Sequence, residues 1–316
     1  MKFPSLKIGH LIPRYPIIQG GMAVRVSTSP LAAAVANAGG IGVIAATGMA
    51  LDELRNEIRA ARRLTKGILG VNIMFAVRQF ASLVHTAIEE KIDLIFTGAG
   101  FSRDIFKWGH EAGVPIVSII SSSKLAKIAE KLGAAAVVAE GAEAGGHLGT
   151  DRSIKEILPD IVSAVKIPVI AAGGIVDGKG IAGMIRLGAR GVQMATRFVL
   201  SIECTVSEAF KQMYLKAESG DAIIISSPVG MPGRALRNAF SAKILEGSAP
   251  KAENCSSCLK ECSGEYCIIE ALERSRTGLV DEGVVFAGKN VHMIKEIMPV
   301  QKIFDRLVKE FEEEPA

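Results

Sequence analysis

The sequence predicts an α/β chain, a (β/α)8 TIM barrel with an additional excursion, a lid region, after the eighth strand. Three observations carry this. Short apolar runs alternate with amphipathic helical patterns from near the start to about residue 200, and the alternation completes eight units. Glycines stand just after the first, fourth, sixth and seventh runs, at Gly20-Gly21, Gly98, Gly141 and Gly173-Gly174. In a barrel those strand ends share the face on which ligands bind. The first run is not followed by a G-x-G-x-x-G turn, which disfavours the open doubly wound sheet.

Composition agrees. Apolar residues make up 49% of the 316-residue chain and aromatics only 5%, so the core is aliphatic, as a buried parallel sheet under helices requires. Residues 15–19 read as the first strand. Ser29-Pro30 is an N-cap and N1 pair opening a helix to Ala38. Strands are expected at 41–45, 68–74, 93–97, 115–120, 135–139, 168–172 and 191–195. Helices are expected at 51–64, 79–90, 102–111, 123–132, 154–165 and 179–187, with Pro159 kinking or splitting the one that contains it. After Phe198 the alternation breaks. A helix over 207–217, a short strand over 222–225, a turn-rich loop over 226–234 and a helix over 235–245 precede a cysteine-rich segment. A final helix over 300–311 packs back on the barrel. The expected division is a barrel over 1–200, completed by the C-terminal helix within 299–316, and an excursion over 201–298 that covers the substrate.

The net charge of +4, with both signs interspersed and no dense basic run, argues against nucleic acid as a partner. The N-terminus lacks the apolar core of a signal peptide, and no run reaches the roughly 18 apolar residues that span a bilayer. The expectation is a cytoplasmic protein without a membrane partner. A homodimer is compatible with the sequence, which does not fix the oligomeric state.

The stretch V-V-A-E-G-A-E-A-G-G-H-L-G at 137–149 runs from a strand end into a glycine-rich turn around His147. Glycine admits close approach of a flat ligand. One imidazole among bare backbone N–H groups suits a cofactor floor with a proton-handling residue above it; the plainer alternative is a long loop whose histidine caps the next helix. Gly173-Gly174-Ile175 and Gln193-Met194-Ala195-Thr196 end strands seven and eight, where barrels often hold a phosphate on backbone N–H groups. Gly21 and Met22 are placed to lie beside a flat ring. Asn72, polar within an apolar run, offers a donor and an acceptor to a ring edge or bridges neighbouring strands. Glu140 binds a ligand hydroxyl or faces solvent.

These motifs, I-I-Q-G-G-M near the start, G-V-N-I-M at 70–74, E-G-x-E-A-G-G-H at 140–147, I-A-A-G-G-I at 170–175 and Q-x-x-T at 193–196, resemble the nitronate monooxygenase family. That family was formerly called 2-nitropropane dioxygenase, and it includes the flavin-dependent enoyl-ACP reductase II. The resemblance is strong over about residues 12–200 and looser beyond. It implies an FMN-binding barrel. The FMN site is then lined by Gly21, Met22, Asn72, Glu140, Gly145, Gly146, Gly173, Gly174, Gln193, Met194 and Thr196, with His147 the catalytic residue at the flavin's reactive face. Ala195 departs from the glycine of many relatives. The implied activity is oxidative denitrification of alkyl nitronates by O2 to carbonyl compounds and nitrite. The alternatives are NAD(P)H-dependent reduction of an enoyl thioester, another flavin reductase activity, or a non-catalytic FMN electron-transfer subunit.

Of five cysteines, Cys204 stands alone and four form Cys255-x2-Cys258-x3-Cys262-x4-Cys267. The family's simple members need no such cluster. Four thiols in one short segment of a chain read as cytoplasmic suggest a metal centre, an iron–sulfur cluster before zinc.

Overall fold

The computed structural model of the chain describes residues 1–252 and 255–315. Its strands are β1 (Ile17–Gln19), β2 (Ile41–Ala45), β3 (Ile68–Met74), β4 (Leu94–Gly98), β5 (Ile116–Ile120), β6 (Ala136–Glu140), β7 (Gly146–His147), β8 (Val169–Ala172), β9 (Gly191–Met194), β10 (Ala222–Ile225) and β11 (Gly233–Leu236). Helices α1 (Ser29–Asn37), α2 (Leu51–Leu64), α3 (Phe80–Glu89), α4 (Arg103–Ala112), α5 (Ser123–Leu132), α6 (Ile154–Ala164) and α7 (Gly178–Arg186) alternate with the barrel strands. After them come α8 (Thr196–Val199), α9 (Glu208–Lys216), α10 (Ala239–Leu245), α11 (Ile268–Thr277) and α12 (Val300–Glu313). A closed parallel barrel runs β1-β2-β3-β4-β5-β6-β8-β9, with β9 returning to β1 through Ile18↔Gln193. The fold is the (β/α)8 barrel the alternation predicts.

Local chemistry explains the outer helices. Leu54, Ile58 and Ala61 recur at helical spacing and form the buried stripe of α2. Ser122 caps α5 by accepting from the Leu125 N–H, and Gly133 ends it at φ 100°. Pro159 neither ends nor splits α6, which is continuous across it. The one bond it removes is to the carbonyl of Lys155, and both residues are exposed, so water replaces the donor.

The barrel interior is filled by Ile18, Ile41, Val43, Phe96, Val117, Val138 and Ile170, among others. Its N-terminal end is closed by Leu6, Ile8 and Leu11, which belong to the same apolar cluster; Ile8 and Leu11 pair backbone to backbone at 2.9 Å. This plug has no periodic signal in the sequence. At the opposite end the core stops, and there the strand ends face a cavity. The last helix, α12, packs against α7 and α1, and Phe311 stacks on Phe3 at 3.8 Å.

After β9 the chain builds a three-stranded sheet, β10-β11-β7, over the barrel mouth. Here the expected helix over 235–245 is corrected. Gly233–Leu236 is a strand paired with β10, and the helix begins only at Ala239. Asn238 decides this: its side chain accepts from the Ser241 N–H at 2.7 Å and caps α10, so residues before it lie outside the helix. Among the described residues no helix is long and apolar enough to cross a membrane.

Candidate active site

The cavity at the C-terminal ends of the barrel strands has a volume of about 450 Å3. Its floor is Gly20, Gly21 and Met22 after β1, Asn72 in β3, Glu140 at the end of β6, and Gln193 and Thr196 around the end of β9. Gly145, Gly146 and His147 form one wall. A small annex shares Glu140, Gly145, Gln193 and Thr196 and adds Gly173, Gly174 and Met194. The structure therefore brings together every barrel residue singled out in the sequence. Among those it adds that sequence reasoning missed are Gly288 and Asn290. They arrive from the segment before α12; the only local sign is the F-A-G-K-N turn at 286–290.

The floor is held from below. Gln19 is buried; its Nε2 donates to Ser27 Oγ at 2.8 Å and its Oε1 accepts from the Val43 N–H at 3.1 Å. Ser27 Oγ also accepts from the Met22 N–H at 2.9 Å, which fixes the turn carrying Gly20 and Gly21. A Cβ on Gly21 would lie 2.4 Å from Asn72 Cβ, so only glycine allows this approach. Asn72 Oδ1 is buried and has no hydrogen-bond partner in the protein. A buried acceptor of this kind awaits a donor. In the annex, Gly173 and Gly174 take φ 107° and 70°, Asn290 Nδ2 donates to the Gly174 carbonyl at 2.6 Å, and the Gly288 N–H donates to Thr196 Oγ1 at 3.0 Å.

His147 sits in the wall because β7 pairs with β11, His147 opposite Gly233 and Gly146 opposite Arg234. Arg234 is part of that support. Its guanidinium donates to the Ala142 carbonyl at 2.7 Å and to the Ala222 carbonyl at 3.2 Å. The His147 ring meets Phe286 edge-on at 5.2 Å, and its Nε2 lies 2.8 Å from Ser227 Oγ. Burial lowers its pKa to about 4, so the imidazole is neutral at neutral pH. Burial acts oppositely on Glu140 and raises its carboxyl to about 7. Both side chains owe their partial exposure to the cavity rather than to the outer surface. Among the described residues, neither lysine nor arginine lines the cavity; Ile268, Ile269, Leu272, Phe210 and Met231 make its upper wall apolar.

The cysteine segment requires a correction. Among the described residues no group of three or more His, Cys, Asp or Glu side chains is assembled to hold a metal, so the iron–sulfur or zinc site expected at Cys255, Cys258, Cys262 and Cys267 finds no support. The segment is tied to the turn after β3. Leu259 pairs antiparallel with Val77, the Cys258 carbonyl accepts from the Arg78 N–H at 2.9 Å, and the Lys260 N–H donates to the Ala76 carbonyl at 2.8 Å. Cys255 and Cys262 are exposed, Cys267 stands at the N-terminal boundary of α11, and burial pushes the half-buried Cys258 thiol up, away from the thiolate a metal needs. Residues 253 and 254 lie outside the described residues. Cys204, apart from the cluster, is buried with its Sγ 3.7 Å from the Val26 carbonyl.

A model of one protein family, nitronate monooxygenase, matches residues 5–83 and 74–310. The chain belongs to the nitronate monooxygenase family. Its relatives are oxidoreductases of more than one kind. It is 35% identical over 237 residues to the (3aS,4S,5R,7aS)-5-hydroxy-7a-methyl-1-oxo-octahydro-1H-indene-4-carboxyl-CoA dehydrogenase of Mycobacterium tuberculosis, covering 74% of this chain and 66% of that enzyme, just short of two thirds of the enzyme's length. It is 33% identical to a probable nitronate monooxygenase of Staphylococcus aureus, covering 75% of this chain and 79% of the relative. The solved structure of FabK from Thermotoga maritima superimposes with a TM-score of 0.87 at 37% identity, covering 95% of this chain and 94% of FabK. Like that relative, this member of the nitronate monooxygenase family is a TIM barrel.

The two shifted groups make a pH prediction. Glu140, raised from 4.5 to about 7, binds its proton more tightly folded than unfolded. Its contribution is fully present below pH 4.5 and is lost as pH rises through 7. His147, lowered from 6.5 to about 4, costs stability as pH falls below 6.5. Between those limits the two slopes oppose, each at most about 1.4 kcal/mol per pH unit. Glu140→Gln removes one of them. The stability difference between this variant and the wild type, from urea unfolding of flavin-free protein, should rise by up to about 2 kcal/mol from pH 5 to 7. A flat difference would show that the folded carboxyl is already ionised.

Proposed function

We propose that the cavity and its annex hold FMN and that the protein is an FMN-dependent nitronate monooxygenase, turning alkyl nitronates into carbonyl compounds and nitrite with O2. The observation that carries this reading is a neutral imidazole, His147, standing between a glycine floor and an apolar upper wall. The residues present fit the cofactor. Asn72 Oδ1 is an acceptor without a partner, suited to a ring N–H. The close approach of Gly21 to Asn72 leaves room for a flat ring above them. Gly173, Gly174, Thr196 and Gly288 would receive the phosphate, and the Glu140 carboxyl would meet a ribityl hydroxyl. FMN, when bound, supplies an electron acceptor for the substrate and a donor to O2. His147 then orients the substrate head and takes a proton from a neutral nitroalkane, while the apolar wall excludes water and receives the alkyl chain.

A second reading, NAD(P)H-dependent reduction of an enoyl thioester, is favoured by the absence of any cationic side chain among the cavity-lining residues and by the likeness to FabK, an enoyl-ACP reductase II. A small anion such as a nitronate gains nothing from a lysine or arginine here, whereas an uncharged acyl chain needs none. Two measurements test these readings. The purified protein should be yellow and release FMN, not FAD, on heat denaturation; a colourless protein that does not take up FMN overturns both. In anaerobic stopped-flow, reduction of the flavin by propyl nitronate and not by NADH or NADPH supports the monooxygenase, and the reverse supports the reductase.

A further inference from the structure

Arg25 stands on the loop between β1 and α1 that forms part of the cavity floor; Val24 before it and Val26 after it both line the cavity. Its backbone is left-handed, at φ 53°. A residue other than glycine keeps that conformation where its surroundings over-determine it. Here the side chain does so. Its Nε donates to Glu53 Oε1 at 2.5 Å, and one terminal nitrogen donates to Glu53 Oε2 at 2.7 Å and to the Gly48 carbonyl at 3.1 Å. These bonds tie the floor loop to the loop after β2 and to the first turn of α2. The other terminal nitrogen lies 3.6 Å from Glu273 Oε2, on α11. That helix carries Ile268, Ile269 and Leu272 of the apolar upper wall. One half-buried guanidinium therefore joins the floor of the cavity to its upper wall.

The backbone and hydroxyl bonds of α11 run the other way, to the excursion. Its Ala271 carbonyl accepts from the Val284 N–H at 3.1 Å, its Ser275 hydroxyl donates to the Val284 carbonyl at 2.6 Å, and its Arg276 carbonyl accepts from the Ser207 N–H at 3.0 Å. Among the described residues, the Arg25–Glu273 pair is the one ion pair between α11 and the barrel; Glu273 also pairs with Arg276 inside the helix. Apolar contact backs it at Gly48, where an added Cβ would lie 3.2 Å from Val24 and 3.8 Å from Ile269. We infer that Arg25 and Glu273 are positioning residues that determine specificity: their ion pair sets the distance between the glycine floor and the α11 wall, and so the thickness of substrate the cavity accepts. The floor is flat because it is glycine, and the facing wall is built of branched side chains. The height between them separates a straight chain from one branched at the reacting carbon.

The inference rests on reading this cavity as the site of a flavin reaction, not on which substrate is turned over. Flavin-loaded protein is given a straight and a branched substrate of each class: the primary and secondary propyl nitronates, and crotonyl and tiglyl thioesters with NADH or NADPH. The readout is the ratio of kcat/KM for straight over branched, which does not move when a variant merely folds less well. Glu273→Gln should shift the ratio toward the branched substrate by about threefold, the scale of a half-buried ion pair. Arg25→Ala should shift it further, and Arg276→Gln, which removes only the pair inside α11, should leave it in place. Raising the salt from about 0.1 to 1 M, which shortens the screening length from about 10 to 3 Å, should shift the wild type in the same direction and Glu273→Gln hardly at all. An unchanged ratio in both Glu273→Gln and Arg25→Ala overturns the inference, whatever happens to kcat. Turnover of neither class counts against the function proposed above and passes the decision to amide hydrogen exchange, which needs no substrate. The α11 amides should then exchange faster in Glu273→Gln than in the wild type, and equal exchange overturns the inference.

Discussion

His147→Ala is expected to keep its flavin and lose about 10²–10⁴-fold in turnover, the usual cost of removing a positioned acid–base group. His147 does not line the annex, and its only side-chain hydrogen bond among the described residues is to Ser227, so its removal should leave Gly173, Gly174 and Asn72 in place. Flavin content and turnover should therefore separate. The substrate refines the result. With a preformed nitronate no proton has to be removed, so the loss should be smaller than with the neutral nitroalkane. Equal turnover by variant and wild type, with nitroalkane, nitronate and enoyl thioester alike, would mean that the histidine only shapes the loop. Because β7 is held to β11 by backbone bonds and by Arg234, the truncation is not expected to unfold the wall.

Gly21→Ala is expected to do the opposite, losing the flavin first. The added methyl would stand 2.4 Å from Asn72 Cβ and 3.0 Å from its Cγ. Asn72 is in mid-ladder, paired to Ala45 on one side and Phe96 on the other, so it has no room to withdraw. Either the β1 turn lifts into the space a flat ring needs or Asn72 rotates away from it. Overpacking of this kind costs about 1–3 kcal/mol. FMN affinity, read by fluorescence titration, should fall at least about tenfold, the equivalent of 1.4 kcal/mol. Gly183→Ala is the control: it sits in α7, nothing lies within 4 Å of the added Cβ, and helix propensity makes the change neutral or slightly stabilising. Loss of flavin in both variants would indicate general destabilisation. Unchanged affinity in Gly21→Ala would place the ring elsewhere.

Much of this molecule was legible in its sequence because the signals are local. Apolar runs of strand length, helical stripes such as Leu54-Ile58-Ala61, and caps such as Ser122 and Gly133 each act within a few residues, and together they dictate eight βα units. The glycine floor was legible for the same reason: Gly20-Gly21 and Gly173-Gly174 stand directly after strands, where small residues have few other uses. Tertiary structure alone decided the rest. Ser227, Gly288 and Asn290 reach the site from parts of the chain far away in sequence, and such contacts leave no periodic mark. The strand at Gly233–Leu236 escaped because four residues are too few to show a period, and its partners, β10 and the two-residue β7, are as short. The four crowded cysteines misled for the converse reason. Spacing in sequence limits how far apart thiols can be, but it does not aim them at one point, and among the described residues no three ligating side chains converge.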